Sequence, residues 1–97
     1  MQRILIVEDD RPLGEGIALS LKNETTEVLC SVDLADAGRQ LQLCVFELVI
    51  LDINLPDGSG LELLRKIKAN SSTSVILLTA NDMEIDIVGG LERGADD

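Results

Sequence analysis

Three carboxylates stand where acids are conspicuous. Glu8 and Asp9 follow the apolar run "ILIV" (Ile4–Val7), and Asp52 closes the apolar run "LVIL" (Leu48–Leu51). Strands so uniformly aliphatic belong inside a sheet covered on both faces, where an isolated charge is expensive. Acids brought together at such strand ends repel one another until a cation neutralises them. Mg2+ suits them, because it takes oxygen ligands, keeps several waters and needs only one or two carboxylates. Beside such an ion a carboxylate either holds the metal or attacks phosphorus, as aspartates do in acyl-phosphate chemistry. Thr79, at the end of "VILLT" (Val75–Thr79), adds a hydroxyl donor, and "NLPDGSG" (Asn54–Gly60) adds a backbone-rich loop. Phosphoryl transfer needs little more than this kind of positioning and charge neutralisation. Taken singly, the loop is an ordinary strand-to-helix connection and Thr79 a β-branched strand end. Acids at the ends of two separate strands change the reading of all of them together.

The elements that position these groups alternate. Beside the three apolar runs, "TEVLCSV" (Thr26–Val32) is less uniformly apolar and suits a strand near an edge. Leu13, Ile17 and Leu21 mark a first helix, with Asp10 as its N-cap and Pro12 in its first turn. Gly14 and Gly16 weaken it, so packing must hold it. Leu34, Ala37 and Leu41 mark a second helix, begun by Asp33 or Ser31, and Leu61, Leu64 and Ile67 a third. Met83, Ile87 and Leu91 mark a fourth, stopping at Gly94. The order β-α-β-α-β-α-β-α predicts an α/β doubly wound parallel sheet. In such sheets ligands bind beyond the carboxyl ends of the strands, where Glu8, Asp9, Asp52, Asn54, Thr79 and Ala80 converge. Asp10, as a helix cap, ranks below Glu8 and Asp9 as a ligand.

The totals set limits. Ninety-seven residues make one small domain, read as residues 1–97. Hydrophobic residues make up 45% of the chain and aromatic ones 1%, so the core must be aliphatic. A net charge of −10 repels nucleic acid and anionic membrane and favours cations or a basic partner surface. Cys30 and Cys44 lie far apart and there is no histidine, which argues against zinc and for two small buried thiols in a reducing cytoplasm. The opening "MQRILIVEDD" lacks the features of a signal peptide, and no run approaches a membrane span. A cytoplasmic location is expected.

"ILIVEDD", "LVILDINLPDGSGLELL", "VILLTA" and "GLERGADD" together resemble the receiver domain of bacterial two-component response regulators, in order and spacing across the whole chain. The ending looks most like receivers that precede a winged-helix DNA-binding domain. The resemblance implies a flavodoxin-like fold. It implies Asp52 as the acceptor of a phosphoryl group from a sensor kinase histidine, with Mg2+ held by Glu8, Asp9, Asp52 and the main-chain carbonyl of Asn54. Thr79 would hydrogen-bond the phosphoryl oxygens and switch inward, and Ala80 would leave the group accessible. Such a domain is a phosphoacceptor rather than a turnover enzyme. The family pattern continues past "GADD" into a fifth strand with a switch aromatic, a lysine and a fifth helix, none of which follows Asp97. The expectation is therefore a C-terminally incomplete receiver whose fourth strand is an open edge, inviting a homodimer or exchange of an element. Two other functions compete: a truncated interaction module that only dimerises, and a haloacid-dehalogenase-like phosphatase. The latter wants an aspartate where Asn54 stands. A flavin binder is disfavoured by the acidic strand ends and the lack of a stacking aromatic.

Overall fold

The computed structural model describes residues 2–78 and the backbone of residues 85–88. The elements run β1 (Gln2–Val7), α1 (Arg11–Leu21), β2 (Thr26–Ser31), α2 (Leu34–Leu43), β3 (Leu48–Asp52), β4 (Asn54–Leu55), β5 (Gly58–Ser59), α3 (Gly60–Asn70), β6 (Ser74–Leu78) and β7 (Ile85–Val88). The main sheet has the order β2-β1-β3-β6-β7, parallel through its first four strands. This is the α/β doubly wound parallel arrangement that the alternation of runs predicts, with the flavodoxin-like strand order that the resemblance implies.

Period-two alternation divides the strands between two cores. Leu5, Val7, Val49, Leu51, Val75 and Leu77 face α2 and α3, packing with Ala37, Phe46, Leu63 and Ile67. Ile4, Ile6 and Ile50 face the opposite way, toward Ile17, Ala18 and Leu21 of α1. Both faces of β1 and β3 are thus covered, which is why their sequences are apolar without interruption. β2, at the sheet edge, is only half-buried over most of its length, in keeping with its mixed composition. Phe46, the lone aromatic, is fully buried under α2 and α3.

The caps follow the local chemistry. Asp10 caps α1 by accepting from the Leu13 N–H at 3.1 Å, and Asp33, rather than Ser31, caps α2 by accepting from the Asp36 N–H at 2.8 Å. Ser31 instead donates its hydroxyl to Asp36 at 2.7 Å. Within the helices the buried positions shift from those the four-residue spacing suggests. Leu63 and Ile67 form the inner face of α3, while Leu61 and Leu13 are more than a third exposed. Neither thiol is fully buried: Cys44 is intermediate, and Cys30, on the edge strand opposite Ile6, is exposed.

The fourth helix expected around Met83, Ile87 and Leu91 is corrected by the structure. Residues 85–88 form β7, antiparallel to β6, with Ile76 opposite Ile87 and Leu78 opposite Ile85. Met83 and Leu91 lie outside the described residues. Among the described residues the edge of β6 is therefore paired, not open, and by an antiparallel strand. Two features favour the strand. Ile85, Ile87 and Val88 are β-branched. An antiparallel return also needs only a short connection, whereas a parallel one needs a long crossover.

Candidate phosphoacceptor and metal site

β1 and β3 are neighbours in the sheet although α1, β2 and α2 separate them in sequence. Between them the chain's winding reverses: from β1 it goes outward to β2 and then back across to β3. Their register pairs Val7 with Leu51, so the next residues, Glu8 and Asp52, come level at the carboxyl edge. Asp9 joins them, and carboxylate oxygens of Glu8, Asp9 and Asp52 lie within 4.8 Å of one another. Glu8 and Asp52 are each only 7% exposed, while Asp9 faces solvent. Among the described residues no lysine or arginine pairs with any of the three.

The electrostatics follow from that crowding. The Glu8 carboxyl is pushed up from 4.5 to about 7, chiefly by burial. The Asp10 N–H, which donates to Glu8 Oε2 at 3.1 Å, opposes the rise, and the Asp52 charge and the contacts with Asp52 and Asp9 add to it. Buried oxygen donors, mutually repelling and without a protein cation, are a fit for a small hard divalent ion. Asp9 keeps one side of the cluster in contact with water, as an ion that retains several waters requires.

The loop after Asp52 is more ordered than its composition suggests. Asn54–Leu55 and Gly58–Ser59 pair antiparallel, making a two-rung hairpin with Pro56 and Asp57 at its tip. The Asn54 N–H donates to Asp52 Oδ1 at 3.3 Å, and Leu55 is buried. At the base, the Gly60 N–H donates to the Ile53 carbonyl at 2.7 Å. A Cβ on Gly60 would collide with the Asp52 main-chain carbonyl, so only glycine lets α3 begin this close to the acceptor strand. Ser59 caps α3 by accepting from the Leu61 N–H at 3.2 Å.

Of the site residues expected from sequence, Glu8, Asp9 and Asp52 are brought together, and Asn54 adjoins Asp52 through its N–H. Thr79 and Ala80 lie outside the described residues. Sequence reasoning passed over Asp57, whose carboxylate accepts from the N–H groups of Leu34 at 2.8 Å and Ala35 at 3.0 Å. The only signal was an acid in a turn, because the partner lies 23 residues away. A groove of about 520 Å3 between α2 and α3, around Phe46 and Cys44, is lined by none of the three clustered carboxylates.

Residues 4–97 match the family model of the response regulator receiver domain. Among solved structures, the chain is similar to the response regulator TrrA from Thermotoga maritima in complex with Mg2+-BeF. The TM-score is 0.76 at 35% identity, covering 84% of this chain and 72% of that one. The non-phosphorylated HemR receiver domain from Leptospira biflexa matches with a TM-score of 0.70 at 33% identity, covering 84% of this chain and 66% of that one. The beryllofluoride-activated NtrC4 receiver domain dimer matches with a TM-score of 0.75 at 28% identity, covering 86% and 72%. The chain spans about two thirds of the length of the solved chains it matches.

Proposed function

We propose, from the premise that this chain belongs to the response regulator receiver domain family, that it accepts a phosphoryl group on Asp52 and passes the event on as a change of conformation. The observation that carries this is the placement of Asp52 beside Glu8 and Asp9 at the point where the sheet's winding reverses. An Asp52 carboxylate oxygen would attack the phosphorus of a phosphohistidine on a sensor kinase. The new O–P bond makes an acyl phosphate, the N–P bond breaks, and the released imidazole nitrogen keeps the electron pair and takes a proton.

Glu8, Asp9 and Asp52, with the Asn54 carbonyl, are the groups assigned to hold Mg2+, which when bound offsets the charge of the carboxylates and of the incoming phosphoryl oxygens. The chain's own residues supply the rest. The Asn54 N–H fixes the rotation of the Asp52 carboxylate, and burial of Glu8 and Asp52 limits competing water. Thr79 and Ala80 are assigned the hydroxyl contact and the open access at the fourth strand's end. Transcription control through a separate DNA-binding domain, a homodimeric state and a cytoplasmic location complete the reading. They draw on the ending "GLERGADD", on the NtrC4 receiver dimer and on the lack, among the described residues, of any helix long and apolar enough to cross a membrane.

The test is labelling by a small phosphodonor such as acetyl phosphate with Mg2+, read as an intact-mass gain. Wild-type chain should gain one acid-stable, base-labile phosphoryl group, and Asp52→Ala should gain none. Undiminished labelling of the variant would sink the assignment.

A further inference from the structure

We infer that Asp57 is a positioning residue: by tying the tip of the Asn54–Ser59 hairpin to the first turn of α2, it holds the Asn54 main chain in place for the metal. This rests on the receiver reading above and deepens it.

The two anchors of the hairpin differ in kind. Its base is fixed by the chain itself, through the Gly60 N–H on the Ile53 carbonyl and the tight packing of Gly60 on Asp52. Its tip has only two rungs of pairing behind it, and a two-stranded hairpin is not stable alone in water. Asp57 supplies the second anchor with two charge-assisted hydrogen bonds, from the Leu34 and Ala35 N–H groups, which hold its carboxyl below the usual carboxylate range. Gly58 makes the approach possible. Its φ is +150°, and a Cβ there would come within 2.9 Å of Leu34 Cδ1. Asp57 and Gly58 therefore dock on the same residue by independent contacts, one polar and one steric. Asn54 lies between the two anchors, one residue from Leu55 and two from Asp52.

Capping α2 does not require Asp57. Asp33 already accepts from the Asp36 N–H in the usual local way, so α2 carries two acids at its start, one local and one from the phosphoacceptor loop. Their roles separate cleanly. The side-chain hydrogen bond of Asp33 stays within the start of α2, whereas those of Asp57 join α2 to the hairpin.

The experiment uses that separation. The chain has no Trp or Tyr, so Mg2+ titration is followed through backbone amide NMR shifts. Asp57→Ala should weaken Mg2+ binding about three- to tenfold, with shift changes at Asn54, and slow acetyl phosphate labelling of Asp52 at low Mg2+, recovering at saturating Mg2+. Asp57→Asn, which keeps an acceptor oxygen, should fall between Asp57→Ala and wild type, and it carries the test if the alanine variant does not fold. Asp33→Ala should lower thermal stability yet leave Mg2+ affinity at the wild-type value. Unchanged affinity in both Asp57 variants overturns the inference. So does an equal loss in Asp33→Ala, which would make Asp57 a helix cap only. A wild-type chain that shows no Mg2+-dependent shifts overturns the receiver reading itself, and this inference with it.

Discussion

Glu8 holds a proton near neutral pH because burial and two neighbouring acids disfavour its charge. The sign of the consequence is fixed by the direction of the shift. Between 4.5 and about 7 the folded chain binds a proton that the unfolded chain has released. Its contribution to stability is thus present below 4.5 and lost as the pH rises through about 7. Mg2+ needs the ionised form, so proton and metal compete. The apparent Mg2+ affinity should rise roughly tenfold between pH 6 and pH 8, measured by amide shifts at fixed ionic strength. Glu8→Gln should flatten that profile, raise the metal-free melting temperature at pH 8, and abolish the further rise that Mg2+ gives wild type. A flat wild-type profile would show that Glu8 is already ionised and is not the group being displaced.

At the scale of elements, the acceptor strand, the hairpin and the start of α3 behave as one unit, because Gly60 packs directly against Asp52. Gly60→Ala should cost about 2 kcal/mol or more and impair labelling of Asp52, since backbone rather than a flexible side chain must move. Gly16→Ala is the contrasting case. Nothing lies within 4 Å of the position its Cβ would take, so α1 should gain about 0.8–1 kcal/mol of helix propensity. Urea unfolding of both variants measures the pair, and a Gly60→Ala chain as stable as wild type would refute the close-packing account. The sequence marked Gly60 as a loop residue and Gly16 as a weak point of the first helix, but not what a side chain at either position would meet. Which glycine faces a carbonyl depends on how α3 meets β3.

For the whole molecule, β7 changes the account of the sheet's far side. Its pairing with β6 satisfies backbone groups that would otherwise invite another chain. Ile87→Pro puts a residue with no N–H and a fixed φ into the strand opposite Ile76, which disfavours the pairing and should open that edge. Its light-scattering mass should then climb with concentration above that of wild type at equal loading. Identical masses across the series would mean that β7 does not guard the edge. The parallel strands were legible because burial on both faces leaves uninterrupted Ile, Val and Leu. Residues 85–88 were misread because Met83, Ile87 and Leu91 satisfy a helical spacing while the same stretch is rich in β-branched residues. Periodicity alone does not decide between the two in so short a run.

What the sequence determined by itself was local and periodic: the four parallel strands, the first three helices, Asp10 as the cap of the first, and the acids stationed at strand ends. Alternation and capping act over a few residues, so a linear reading reaches them. The tertiary structure alone decided the level alignment of Glu8 with Asp52, the collision that reserves position 60 for glycine, the return of β7 onto β6, and the grip of Asp57 on α2. Each joins segments distant in the chain or depends on which of two local preferences the surrounding sheet rewards. Hydrogen bonds and packing at that range are set by register and layer, which no run of neighbouring residues encodes.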